Sequence, residues 1–507
     1  MLRLSVICIV LAGVAGCRDS PRPLCDDAFS QSRYTQILGF IQQDNAVWMT
    51  GRLDLIRAKL CKMAGRTPAC LAFGEETGFL DDIPEGHDAY NFMRGAVGLF
   101  YADVARIGRY PRFPTDMLSD PNATKVLLVV DPHPENLSTA FRRAVDTRGT
   151  VLIEDLTMEW FDFDASQYGP YTLDLRRAAL GLAAFGSSIS ACAASCRHQI
   201  TDAMTRTYID TLRQFAAEQN PPPPHPGRLI EDLVNKAIRD GAIREKLVEN
   251  TVGTSGYQRL KVGERHLDGL VAPTAAEWTD IRHLAERYRA GRLGDDLELL
   301  DAARRFGQGV SSLPAPRYIM LWRRRLGPNQ TDVFMLNVRL VLDPPRIPDV
   351  TLRQNGLFTS NAERIATIST RLWSTPHADP NFGVMTLGNS TYKAMTWSSY
   401  YKELGHDKLQ KAFNRGATTD DLVAVGRWVG YTLASAHSNG KRADGGYSLP
   451  SLVNDIAGRE ARLVDEIRST QNDDYQTLIA DHRIFQCILE NEGLLAGLDR
   501  IEMDLTP

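Results

Sequence analysis

The sequence predicts an α+β fold, rich in helix and divided between lobes. Three observations lead there. The chain has 507 residues, more than one compact core accommodates. Apolar residues recur at three- and four-residue spacing through long stretches towards both ends, the period of helices packed on a core. Between those stretches, "RYIMLWRRRLGPNQTDVFMLNVRLVL" sets two β-prone runs around Gly327, Pro328 and Asn329, the pattern of a hairpin. Composition is that of a globular protein, 43% hydrophobic and 24% charged with a formal net charge of −4. No long basic run is present, so nucleic acid is not an expected partner.

Taken in order, the chain opens with "MLRLSVICIVLAGVAGC". One early positive charge at Arg3, an apolar stretch from Leu4 to Val14 and small residues before Cys17 make residues 1–16 a signal peptide, too short to span a bilayer. The small residues before the cysteine resemble the lipobox of bacterial lipoproteins. That resemblance implies cleavage after Gly16, acylation of Cys17 and a lipid anchor in a bacterial membrane. Arg18 and Asp19 after the cysteine point to the outer membrane rather than the inner one. Residues 17–90 then form the anchor and an N-terminal helical region, with helix expected over Asp26–Lys62 and Asp88–Ile107. Residues 91–220 form a helical lobe that carries two acidic clusters. "NPPPPHPGR" interrupts regular structure, so residues 221–228 read as a linker or loop. Residues 229–300 read as helical, 301–410 as a glycine-loop and β-rich lobe, and 411–507 as C-terminal helices. The six cysteines beyond Cys8 and Cys17 permit disulfides in an exported protein. Cys61 with Cys70 and Cys192 with Cys196 are the local pairs, although a four-residue separation on a regular helix is poor disulfide geometry.

The chemistry concentrates in the first half. "KVLLVVDPHPENL" runs an apolar strand into Asp131, His133 and Asn136, and "EWFDFDAS" ends a second strand in Asp162 and Asp164. Asp174 opens the next helix. An Asp at a loop start can orient or deprotonate a hydroxyl, and an Asn five residues later can offer its carbonyl oxygen to Mg²⁺. An Asp at the end of the following strand supplies the anionic ligand that Mg²⁺ needs while it bridges phosphates. Carboxylates at the ends of apolar strands are costly without a purpose.

These residues resemble the catalytic half of aminoglycoside-phosphotransferase-like kinases, in which His-Gly-Asp-x-x-x-x-Asn precedes a strand ending in Asp. The resemblance implies Asp131 as the catalytic-loop aspartate and Asn136 and Asp162 as metal ligands. Asp164 would be a second metal residue, with Mg²⁺ and ATP as cofactor and donor. A longer resemblance runs from about Asn91 to Gly440. "FMRGAVGLFYADVA", "VDPHPENL", "FDFDASQYGPYTLDLRRAALGL", "RFGQGVSSLPAPRYIML" and "YTLASAHSNG" are similar, in order, to an uncharacterised bacterial family, domain of unknown function 2252. Because the glycine loop follows the acidic motifs, the two resemblances together imply a kinase-like, two-lobed fold with its lobes in permuted order. Gly307, Gly309 and Ser311 would then cradle phosphate and Arg339 would stand at the usual lysine position. The acceptor, a small molecule or a protein, is left open. Val130 stands where the family has Gly, Ala165 where it has Glu, and Val310 interrupts the glycine loop. The alternative is therefore a binding or scaffold protein of the cell envelope that has kept the fold and lost turnover.

Other readings fit less well. Asp-x-His also opens metallophosphoesterases, but "GDDLE" at Gly294 and "GNS" at Gly388 do not complete their motif set. Gly-x-Ser-x-Gly is absent, and "GTSG" at Gly253 reads as a turn. His133 is expected to be a loop hydrogen-bonder and Arg94 the partner of a core acid. Asp174 is expected to tie its helix to the loop, and His437 to meet a helix C-terminal dipole.

Overall fold

The computed structural model describes residues 31–46, 53–84, 89–104, 126–141, 156–253, 258–263, 269–292, 296–345, 358–373, 379–439 and 449–495. The fold is α+β, and helix predominates. At the centre of the helical part lies Tyr171–Ser187, buried on nearly every side from Tyr171 to Gly186. Such a helix must neutralise whatever charge it carries. Asp174 faces His437 at 3.1 Å, Arg176 forks onto Asp474 at 2.5 and 2.6 Å, and Arg177 meets Asp131 at 2.8 Å. Asp474 belongs to the long helix Glu460–Glu492. The three pairs therefore lock the central helix to the C-terminal helices and to the loop after the first strand.

Around it pack Ala194–Ala216 and Thr419–Asn439. These two approach so closely that a Cβ at Gly430 would fall 2.2 Å from the Met204 carbonyl oxygen. The proline-rich segment joins Ala194–Ala216 to Gly227–Ala242, and both helices rest on Thr419–Asn439. Cys61 and Cys70 form one disulfide and Cys192 and Cys196 another. Cys192 precedes the helix that begins at Ala194, so this pair spans a turn and avoids the poor geometry of a regular helix.

The strands are β1 Val126–Leu128, β2 Leu137–Phe141, β3 Leu156–Trp160, β4 Gln167–Gly169, β5 Thr251–Val252, β6 Arg259–Leu260, β7 Gly269–Val271, β8 Asp296–Phe306, β9 Arg317–Gly327, β10 Gln330–Val341, β11 Gly383–Leu387 and β12 Ser390–Thr396. β1 pairs with β4 and β2 with β3. The last six form one antiparallel sheet in the order β11-β12-β10-β9-β8-β7. Alternation along β9 and β10 builds a core on each face. Trp322 and Leu336 pack under the helix Ala275–Ala290, while Ile319, Leu321 and Met335 form the core of the opposite face.

One expectation is corrected. Residues 229–300 are not helical throughout: helix stops at Asn250, β5 to β7 follow, helix resumes over Ala275–Ala290, and β8 begins at Asp296. "DLELLDAARRF" has the composition of a helix. Pairing with β9 on one side and β7 on the other overrides that propensity.

Candidate functional site

The loop that follows β1 is held by buried contacts. Both oxygens of Asp174 accept backbone N–H groups, from Val129 at 2.7 Å and Val130 at 2.9 Å, and the Tyr101 hydroxyl donates to the Val130 carbonyl at 2.6 Å. Val130 has φ of 73°, a left-handed conformation that a β-branched residue rarely adopts. The surrounding bonds over-determine it. His437 does more than meet a helix dipole. It lies fully buried, with Nε2 3.1 Å from Asp174 and Nδ1 2.8 Å from the Tyr208 hydroxyl.

The loop thus presents Asp131 in a fixed pose. Arg177 donates twice to its Oδ1, at 3.0 and 2.8 Å, while Oδ2 lies 3.5 Å from His133 Nε2. His133 hydrogen-bonds the Tyr90 hydroxyl through Nδ1 at 3.1 Å. Burial outweighs the pull of Asp131 and brings His133 down to about 4, so the ring is neutral at physiological pH. The Asn136 amide nitrogen donates to the Asp131 carbonyl at 2.8 Å, which leaves its side-chain oxygen as an available ligand. Arg94 pairs with Glu135, and the latter also accepts from His406 Nδ1 at 2.7 Å. Burial opposes ionisation of Glu135, but Arg94 and then His406 hold it well below the carboxylate range.

The second acidic cluster meets the sheet. Arg339 lies 2.6 Å from Asp162 and 3.0 Å from Asp164, and Lys393 lies 2.5 Å from the other Asp164 oxygen. Burial would raise Asp162, yet Arg339 and Lys393 pull it far below its ordinary range. Lys393 is the basic residue that sequence reasoning missed. It lies not on β10 but directly opposite Arg339 on β12, while Arg317 stands opposite Arg339 on β9. Three cations thus lie abreast on neighbouring strands, an arrangement that is repulsive unless anions share it. Asp162 and Asp164 balance two of them. Arg317 is 7% exposed, and its one polar contact among the described residues is Ser312 Oγ at 3.4 Å. Burial, with Arg339 and Arg305 beside it, lowers Arg317 to about 9, and burial with Arg339 lowers Lys393 to about 8.

Asp131, Asn136, Asp162, Arg317 and Arg339, though not Asp164 or Lys393, line one cleft of about 460 Å³. Asp131, Asn136 and Asp162 face Gly309, Ser311, Arg317 and Arg339 across it. Gly307 and Gly309 take φ of 75° and 78°, which glycine alone adopts at no steric cost. Gly307 is set back from the lining, and its carbonyl accepts from Lys62 at 2.7 Å. Val310 is buried beneath the loop. At the far end Lys246 and Arg305 lie over the Trp397 ring, at 5.4 and 4.8 Å. Burial and neighbouring cations lower Lys246 to about 8, and burial with Arg339 lowers Arg305 to about 10. In all, eight Lys or Arg side chains reach the cleft against four Asp or Glu. Three buried polar atoms of its wall, Asn337 Oδ1, Arg339 Nε and Trp397 Nε1, have no hydrogen-bond partner among the described residues. A basic wall with two unpartnered N–H donors, on Arg339 and Trp397, suits a ligand carrying several negative charges.

For a metal the fit is partial. Asp164 has both oxygens engaged by cations, whereas Asp162 keeps Oδ2 and Asn136 its amide oxygen. No cluster of three or more His, Cys, Asp or Glu suited to a metal occurs among the described residues. Two oxygen ligands suffice for Mg²⁺ only when substrate phosphates complete the shell. Cys17 lies outside the described residues, as does most of the Gly253 turn.

Residues 86–487 match a family described as an uncharacterized protein conserved in bacteria, DUF2252. No curated protein and no solved structure matches the chain.

Proposed function

The chain belongs to that uncharacterised bacterial family, and from its cleft we propose a Mg²⁺-dependent phosphotransferase with a kinase-like, two-lobed fold in permuted order. The observation that carries this reading is the meeting of Asp131, Asn136 and Asp162 with Arg317 and Arg339 beneath the Gly309–Ser312 loop in one cleft. The chain order supports it: the β7–β12 sheet follows the Asp131 loop, and helices resume after Lys408.

In this reading a nucleoside triphosphate enters the basic cleft, and its phosphates neutralise Arg317, Arg305 and Lys246. Asp162 Oδ2 and the Asn136 amide oxygen would hold Mg²⁺, which neutralises charge on the phosphates during transfer. Arg339 orients Asp162. Asp131 Oδ2 takes the proton of the acceptor hydroxyl, while Arg177 on Oδ1 fixes the carboxylate. Lys393 pairs with Asp164 behind them.

A second reading, a phosphate-ligand receptor of the cell envelope without turnover, draws on Asp164. Both of its oxygens are taken by cations, which leaves Asp162 as the one carboxylate of this cluster for metal and removes the second acidic ligand that a two-metal site would draw on. Acylation at Cys17 would place either protein on a membrane, and the disulfides Cys61–Cys70 and Cys192–Cys196 accord with export.

Calorimetric titration of ATP, with and without Mg²⁺, on wild type and Asp162→Ala tests the proposal. Mg²⁺ should tighten wild-type binding at least tenfold, and the variant should lose that gain. ATP binding indifferent to Mg²⁺ in both favours the receptor. No ATP binding in either refutes the phosphotransferase. For the anchor, Cys17→Ser should release the protein from membranes.

A further inference from the structure

Asp131, Asn136, Asp162, Ser311 and Ser312 border two cavities. Beyond the basic cleft lies a second one of about 710 Å³, inside the range of roughly 300–1,000 Å³ typical of small-molecule sites. The helix Gln31–Ala46, the helix Val97–Val104 and the end of β10 wall it. Its surface is largely apolar, supplied by Phe40, Val97, Leu99, Leu340, Leu342 and Pro345. Among the described residues, the charged groups that reach it are Asp44, Asp103, Asp131, Asp162, Asp164 and Asp343, against Arg33 as the one cation. Arg33 is itself bonded to Asp103 at 2.5 Å. The two chambers therefore differ in character. The first has cations in excess, whereas the second is largely apolar and its carboxylates are mostly paired: Asp44 with Lys59, Asp103 with Arg33, Asp131 with Arg177, and Asp162 and Asp164 with Arg339. They share Asp131 at their junction.

We propose that this second chamber seats the phosphoryl acceptor, and that the acceptor is an alcohol with an apolar body and no negative charge. This rests on the phosphotransferase reading. The apolar walls take the body by burial of its surface, and an anion there would lose its hydration with no cation free of a carboxylate partner among the described lining residues to compensate it. At the junction the alcohol oxygen forms a bond to the terminal phosphorus of the triphosphate while its proton passes to Asp131. The bond from that phosphorus to the bridging oxygen breaks, and the nucleoside diphosphate leaves with the electron pair. The phosphate ester and the diphosphate are the products.

Gly39 provides the test. It lies on the chamber wall, and a Cβ there would meet nothing within 4 Å. Gly39→Leu therefore projects an apolar side chain into the chamber and narrows it, and leucine is the better helix former. Ala102→Leu narrows it from the opposite helix. The probes are 1-octanol and octanoate, titrated into the full chain, with ATP·Mg²⁺ titrated separately. Octanol should bind wild type at least tenfold more tightly than either narrowed variant, and at least tenfold more tightly than octanoate. ATP·Mg²⁺ should bind all three proteins within twofold. Wild type with ATP·Mg²⁺ should yield octyl phosphate by mass spectrometry, and the narrowed variants should not. Octanol affinity unchanged in both variants, or octanoate binding as tightly as octanol, with ATP binding intact, would overturn this inference alone. Failure of ATP·Mg²⁺ to bind wild type would overturn the phosphotransferase reading, and the acceptor role with it.

Discussion

Arg317 should be a residue whose removal stabilises the protein and empties its cleft. The guanidinium is 7% exposed and has no carboxylate in contact among the described residues. Burial, with Arg339 and Arg305 beside it, lowers it from its ordinary value to about 9. At about 1.4 kcal/mol per tenfold change in proton affinity, keeping that charge at neutral pH costs the ligand-free fold a few kcal/mol. Its contact with Ser312, at 3.4 Å, is too long to return much of this. Arg317→Met keeps the apolar stem and removes the charge. A gain of roughly 2 kcal/mol is expected, which for a chain of this size raises the midpoint of thermal unfolding by a few degrees. The same variant loses a charged partner for phosphate, so ATP·Mg²⁺ should bind about thirtyfold more weakly or worse, the equivalent of about 2 kcal/mol. Scanning calorimetry and titration on one preparation read both effects. A lower midpoint together with ATP affinity within twofold of wild type would refute the reasoning.

Two further outcomes follow from the same geometry. Val130→Gly relieves a left-handed β-branched residue while deleting a buried side chain, so urea unfolding should place it within about 1 kcal/mol of wild type. Val129→Gly, equally buried but without positive φ, should cost about 3 kcal/mol or more. Lys246 adds a pH signature. Its folded-state value of about 8 lies below the ordinary 10.5, so the unfolded chain binds the extra proton between those limits. The penalty is complete below pH 8 and fades as pH rises towards 10.5. Lys246→Met should be more stable than wild type at pH 7, by roughly 1–3 kcal/mol after allowance for partial exposure. That advantage should shrink at pH 10 in matched urea titrations.

Much of the α+β organisation and the acidic side of the cleft were legible because they rest on local signals. Asp131 and Asp162 terminate apolar runs, and a glycine pair followed by a β-prone stretch marks the loop and hairpin. Val130 was visible as an anomaly, and its φ of 73° shows that the loop keeps the glycine conformation without the glycine. Arg339 apart, the basic side was not legible. Lys393 stands between buried Tyr392 and Ala394 on β12, and only the strand register brings it beside Arg339. Arg305, Arg317, Lys246 and Lys402 come from separate segments and form no charge run. β8 was misread because its composition favours helix while its neighbours impose strand pairing. His437 and Asp174 are 263 positions apart, and no local pattern links them. The Cys192–Cys196 pair was legible from its short separation, and it forms because the helix begins only at Ala194, which puts Cys192 on the turn before it.

Crystals soaked with ATP and Mn²⁺ in place of Mg²⁺ offer the most direct measurement of the central claim. An anomalous manganese peak should appear bonded to Asp162 Oδ2 and the Asn136 amide oxygen, with the triphosphate along Arg317, Arg305 and Lys246 under the Gly309–Ser312 loop. A nucleotide bound elsewhere on the chain, or a triphosphate in the cleft with no manganese at Asp162, would contradict it.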